Sequence, residues 1–89
     1  MELKQENSRF SYIDEDKEIA YITFPFIDKA TVCINHTYVN EAYRGRNLAG
    51  SLLKETCEFI RRSKLKVIPR CSYAVEWFAK HKEYEDILK

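Results

Sequence analysis

Two glycines and two prolines in 89 residues leave no material for a flexible or Pro-rich linker, and no segment repeats. One domain spanning residues 1–89 is the expectation, large enough to bury roughly 60 to 65 % of its unfolded surface. The three cysteines, Cys33, Cys57 and Cys71, are widely spaced and form no C-x-x-C pair, and His36 and His81 are the only histidines. Neither a disulfide framework nor a metal site is expected from that set. Charge of one sign is also missing. Fifteen Lys and Arg stand against fourteen Asp and Glu, a net +1, so no broad field is available to hold nucleic acid or an anionic membrane, and any anion site must be local. There is no apolar run long enough for a signal segment or a membrane span, and with unpaired cysteines this predicts a soluble protein of a reducing, cytoplasmic compartment.

What is present is globular composition: 45 % hydrophobic residues, with six Tyr and five Phe distributed along the chain. Arg9 to Ile13 reads as a strand, Asp14 to Lys17 as a polar turn, and Glu18 to Ile27 as a second strand rich in aromatic and β-branched residues. Asp28-Lys29 connects to a third strand, Ala30 to Val39, in which Val32, Ile34, His36 and Tyr38 share one face by period-two alternation. Then the period changes. Leu48, Ala49, Leu52, Leu53, Thr56, Cys57 and Ile60 recur at spacings of three and four, which predicts an amphipathic helix of about four turns. Leu65 to Pro69 suits a short strand, and a second helix carries Ala74, Val75, Trp77 and Phe78. Tyr21, Phe24, Phe26, Trp77 and Phe78 are assigned to the core. The order is an antiparallel β-meander followed by helix, strand and helix, an α+β fold or mixed α/β sandwich.

The first helix opens on Arg44-Gly45-Arg46-Asn47 with no acidic residue at the junction. A helix N-terminus presents unpaired N–H groups and the positive end of the dipole, where cations are disfavoured and anions bind well. Flanking arginines would add charge-assisted contacts to a phosphate. Spacing alone favours the plainer reading, an exposed turn with Asn47 as N-cap.

The segment Arg44-Gly45-Arg46-Asn47-Leu48-Ala49 resembles motif A of the GNAT superfamily of acetyl-CoA-dependent N-acetyltransferases: Arg or Gln, two residues, Gly, any residue, then Gly or Ala. Asn47 stands where that pattern has Gly. The stretches "INHTYVNEAYRGRNLAGSLLK" and "IPRCSYA" are similar to the smallest, single-domain branch of the superfamily, so the likeness covers about residues 10 to 80. It implies that acetyl-CoA (CoA) is the cofactor, inserted where the strand ending at Val39 splays from the strand ending at Pro69. The CoA pyrophosphate would then lie on Arg44, Gly45, Arg46, Asn47, Leu48 and Ala49, with Val39, Ser72 and Tyr73 completing the binding residues. It also implies catalytic roles for His36 and Cys71 at the acyl end, since a thiol beside an imidazole serves as nucleophile or proton relay.

Read as residues alone, Cys71 is more simply core filling and His36 a hydrogen-bonded buried imidazole. Cys33 and Cys57 read as packing, and Arg61-Arg62 as cations at a helix C-terminus. The resemblance predicts transfer of an acetyl group to a small amine or peptide amine. The alternative on the same fold is a non-catalytic acyl-CoA-binding or protein-interaction module. A small nucleic-acid-binding domain is disfavoured by the net charge. The acceptor and the oligomeric state are not specified by the sequence.

Overall fold

The computed structural model describes residues Met1–Lys89. Two tight turns build its first sheet. Ser8 (φ 58°) lies between β1 (Glu2–Glu6) and β2 (Arg9–Asp14), and Glu15 and Asp16 (φ 49° and 65°) lie between β2 and β3 (Lys17–Thr23). Short polar side chains at two of these three positions tolerate the left-handed region that a reversal of this kind needs. With β6 (His36–Val39) on its far edge, the antiparallel sheet has the order β1-β2-β3-β6. A second sheet, β4-β5-β7, is made from β4 (Phe26–Asp28), β5 (Thr31–Ile34) and β7 (Lys66–Pro69), with β5 and β7 parallel.

The long strands expected at Glu18 to Ile27 and Ala30 to Val39 are each broken, at Phe24-Pro25 and at Asn35. Pro25 has no N–H to give a ladder, although its carbonyl still accepts from the Cys33 amide at 2.9 Å. Opposite it, the Asn35 amide donates to the Thr23 carbonyl at 3.3 Å. The two breaks pass each other, and each chain changes sheet there. The change of face follows: Val32 and Ile34 are fully buried, whereas His36 and Tyr38 are exposed, so they do not share one buried face. The expected buried imidazole at His36 is therefore not found. β1 is a further departure. Its five residues are all exposed, an edge strand of mixed charge without the apolar alternation that marks a strand in sequence.

Helix α1 (Leu48–Arg62) lays Leu52, Leu53, Thr56, Cys57 and Ile60 against the sheet residues Phe10, Ala20 and Ile22, all of them in one buried cluster except Thr56, which is itself buried. Thr56 satisfies its hydroxyl by donating to the Leu52 carbonyl at 2.8 Å. Phe59 flanks the stripe and packs on Phe10 and Phe24, ring centroids 6.0 and 5.7 Å apart. Each such buried aliphatic or aromatic side chain contributes about 1.5 to 3 kcal/mol. Helix α2 (Ser72–Lys80) buries Ala74, Trp77 and Phe78, and Val75 points out at 50 % exposure. Phe26, expected in the core, is 51 % exposed because β4 is an edge strand.

A 3₁₀ segment, Lys82–Ile87, closes the fold with Tyr84 and Ile87 buried. Arg61 fastens it. Its guanidinium donates to both carboxylate oxygens of Asp86 and to the Glu83 carbonyl at 2.8 Å.

Candidate functional site

Two features of the architecture define an opening. Beyond the Ile34–Pro69 pair, β5 and β7 no longer run together: the chain after Asn35 goes to β3, while the amides of Arg70 and Cys71 both turn in to the Ile34 carbonyl, at 2.9 and 3.1 Å. The divergence of these two segments, β6 into the first sheet and the chain after β7 into α2, is the V at which the two sheets part. At the other end of β6, a 3₁₀ turn (Glu41–Tyr43), capped by Asn40 through its side-chain oxygen and the Ala42 amide (2.9 Å), leads into Arg44 to Asn47. Tyr43 pins this turn to the β2–β3 hairpin by donating to Asp14 at 2.6 Å, a bond that raises its pKa.

The loop is then shaped by backbone. Gly45 has φ +87°, and a Cβ there would meet nothing within 4 Å, so the glycine is required by the turn and not by crowding. Arg44 extends back along β6, its Nε donating to the Val39 carbonyl at 3.3 Å, and the Arg46 guanidinium lies 5.1 Å from the centre of the Tyr43 ring. Asn47, at the N-cap position, is left-handed (φ 57°, ψ 34°). The N-cap hydrogen bond expected of it is not made; the side chain instead folds over Gly50, filling the space where a Cβ on residue 50 would lie. The amides of Leu48, Ala49 and Gly50 therefore have no capping partner, and no acidic residue occupies the first turn.

This uncapped end opens into a groove of about 570 Å³ between the helices. Its walls are two stripes at helical spacing, Asn47, Gly50, Ser51 and Lys54 on α1 facing Tyr73, Glu76, Trp77 and Lys80 on α2, with His81 and Tyr84 at the far end. Of the residues singled out in the sequence, Asn47 and Tyr73 meet here. Arg44 and Arg46 are exposed on the loop before α1 and do not line the groove. Tyr73 is 37 % exposed, and burial of the rest raises its pKa. Ser51, Lys54 and Lys80 join the groove without a signal in the sequence, and Trp77, assigned there to the core, also lines it. Which helix faces meet is a tertiary fact.

Cys71 and His36 lie outside the groove, at the V. Cys71 is half-buried at the N-cap of α2. His36 is on the outer face of the first sheet, its ring centroid 5.4 Å from Tyr21, which is in turn 5.4 Å from Tyr38. No hydrogen bond joins His36 to Cys71, although the Ile34 carbonyl that holds Cys71 is only two residues before His36. Cys33 and Cys57 are buried, and burial pushes the Cys57 thiol up to about 12. No group of three or more His, Cys, Asp or Glu side chains is arranged to hold a metal.

Comparison with known proteins bears on the family and the fold. The family model of the GCN5-related N-acetyl-transferase matches residues 9–87. Protein NATD1 of Danio rerio is 34 % identical over 70 residues, 79 % of this chain and 63 % of that protein, so the chain spans less than two thirds of that relative. The solution structure of a GCN5-like protein from Staphylococcus aureus, described as a candidate N-acetyltransferase, superposes with a TM-score of 0.82 at 34 % identity, covering 99 % of this chain and 87 % of that one. Rv2747 from Mycobacterium tuberculosis, solved in complex with CoA, shares the fold at a TM-score of 0.68 and 16 % identity, over 84 % of this chain and 47 % of that one. No helix is long and apolar enough to cross a membrane.

Proposed function

The chain belongs to the GCN5-related N-acetyltransferase family, and from that premise we propose that it binds acetyl-CoA and transfers the acetyl group to an amine. The observation that carries the reading is the α1 N-terminus, with three uncapped amides, no acidic residue in the first turn and two exposed arginines on the preceding loop, opening into a groove. Such an end takes a pyrophosphate through N–H groups and dipole together. That the fold-related Mycobacterium tuberculosis protein was solved with CoA supports the choice of ligand.

With the pyrophosphate on Leu48 to Gly50, the pantetheine arm runs past Val39 and Ser72 into the V, and the thioester reaches the neighbourhood of Cys71 and His36. The amine nitrogen attacks the thioester carbonyl carbon. Strand N–H groups stabilise the oxyanion, the C–S bond breaks, and the sulfur takes a proton from an acid. Tyr73, at the start of α2 two residues after Cys71, is the donor we assign, and His36 accepts the proton the amine releases. An acetyl-Cys71 intermediate is the variant in which the thiol attacks first.

The second reading, a non-catalytic acyl-CoA-binding module, is favoured by one observation: His36 and Cys71 are not hydrogen-bonded and neither lines the groove. Titration calorimetry with acetyl-CoA, followed by incubation with a mixed amine panel and mass spectrometry, separates the two. Binding with acetylated product supports transfer, binding without product supports the module, and absence of binding rejects both.

A further inference from the structure

The far end of the groove has a construction that pyrophosphate binding does not require. His81 lies flat on Trp77, ring centroids 4.0 Å apart and planes 11° from parallel. Its Nδ1 is 2.7 Å from the Trp77 carbonyl, which can only accept, so Nδ1 carries a proton and the ring is locked in place. Trp77 itself is held from below by Phe78, edge-on at 5.4 Å, and Tyr84, at 5.6 Å. One face of the imidazole is therefore covered by a rigid aromatic stack, while His81 remains half-buried and lines the groove.

The charges around this shelf are distinctive. Lys54 of α1 and Lys80 of α2 line the same groove, and neither enters an ion pair or a side-chain hydrogen bond. Glu76 and Glu83 also line it, so the groove is neutral overall and does not attract an anion by bulk field. A flat, preorganised aromatic surface with two free ammonium groups beside it, in a neutral groove, suits a ligand with a π-face to stack and a phosphate within a lysine's reach.

The geometry points to a base-stacking site on His81 that takes the adenine of an adenine nucleotide, with Lys54 and Lys80 contacting its phosphate. This deepens the coenzyme reading above and rests on it for the identity of the ligand: the nucleotide is the adenosine bisphosphate end of CoA, and a free adenine nucleotide is the other source of the same chemistry.

The test uses the chain's single tryptophan, which forms the underside of the shelf, as a fluorescent reporter alongside calorimetry. CoA, 4′-phosphopantetheine, adenosine 3′,5′-bisphosphate and ADP are titrated into the parent protein, His81→Ala and His81→Phe. Adenosine 3′,5′-bisphosphate is expected to bind the parent and change Trp77 emission. His81→Ala is expected to weaken CoA by about 5-fold to 100-fold, the scale of one lost base stack, and to leave 4′-phosphopantetheine within about two-fold. His81→Phe, which keeps a ring on Trp77, is expected to retain most of the CoA affinity. Equal losses for CoA and 4′-phosphopantetheine, or CoA binding indifferent to His81→Ala, would overturn the site while leaving the coenzyme reading standing. ADP binding that depends on His81 in a protein with no affinity for CoA would keep the site, assign it to a free nucleotide and reject the coenzyme reading. If no nucleotide binds, both are wrong.

Discussion

Asn47 holds backbone angles that cost an ordinary L-residue about 1 to 2 kcal/mol, a cost that Gly escapes and Asn reduces. The Asn side chain is accommodated because residue 50 has no Cβ. Positions 47 and 50 are thus a matched pair. Gly50→Ala, which in an open helix gains about 0.5 to 1 kcal/mol, is expected to lose stability here, because the new Cβ lands on the Asn47 Oδ1 and within 3.0 Å of its Cγ. In an Asn47→Gly background the same change should recover the ordinary helix gain. Urea denaturation of the four proteins measures the coupling, and strict additivity would mean that the Asn47 side chain simply moves away. Asn47→Gly alone is expected to keep or tighten acetyl-CoA affinity, with calorimetry as the check. The thiols give a second residue-scale contrast. Cys71 is half-buried at a helix start, whereas Cys57 is fully buried with its pKa pushed up to about 12, so iodoacetamide should modify Cys71 first, and bound CoA should slow that reaction. Cys71→Ser should lower acetyl transfer by about ten-fold to a thousand-fold if the thiol moves a proton or carries the acetyl group. Full turnover in a well-folded Cys71→Ser protein leaves direct transfer as the mechanism.

At the scale of elements, the junction between β6 and α1 is where charge and backbone combine. Replacing Arg44 and Arg46 together by Glu removes two cations from the loop before α1 and puts anions there instead. Acetyl-CoA binding should weaken by at least about 1.5 to 3 kcal/mol, or roughly ten-fold to a hundred-fold, and stability should change little because both side chains are exposed. Unaltered affinity in that double variant would place the pyrophosphate elsewhere. This junction was legible in the sequence because its signals are local: a change of hydrophobic period, Gly45 and the missing acidic cap. The helices α1 and α2 and the strand β7 were legible for the same reason. The breaks at Pro25 and Asn35 were not, since each lies inside an otherwise strand-like run, and only the change of partner strand reveals that the run serves two sheets. The burial of His36 was misread as a consequence. Once the chain changes sheet at Asn35, period-two counting no longer carries the face of Val32 and Ile34 through to residue 36.

Across the whole molecule, the two ends of the pH scale test different parts of the packing. On the acid side, burial works against the Glu18 carboxylate, but hydrogen bonds from Arg9 and Ser11 outweigh it and hold its pKa below the ordinary value; the Ala30 amide does the same for Asp28, and Arg61 for Asp86. A lowered folded pKa contributes stability that is present above the unfolded value, near 4, and lost as pH falls through the folded value. These groups are substantially exposed, so the acid loss is expected to be gradual and weakened by salt. The alkaline side should be steeper. Burial lifts Cys57 from 9.0 to about 12, and burial with the Glu58 hydrogen bond lifts Tyr84 from 10.0 to about 12. A raised folded pKa contributes stability that is complete below the unfolded value and lost as pH climbs toward the folded one, which places the loss between about pH 9 and 12. Cys57 is fully buried on the inner face of α1 and Tyr84 anchors the closing 3₁₀ segment to the same helix, so ionisation at either site works against the same helix-to-sheet core. Thermal melts from pH 3 to 12 are expected to show a plateau from about pH 5 to 9 with a sharper fall on the alkaline limb. Cys57→Ala removes one of the two groups at the cost of a small cavity, and should therefore lower the plateau while flattening the alkaline fall. A Cys57→Ala protein whose alkaline limb matches the parent's in steepness would show that the thiol does not govern it, leaving Tyr84 to account for the loss.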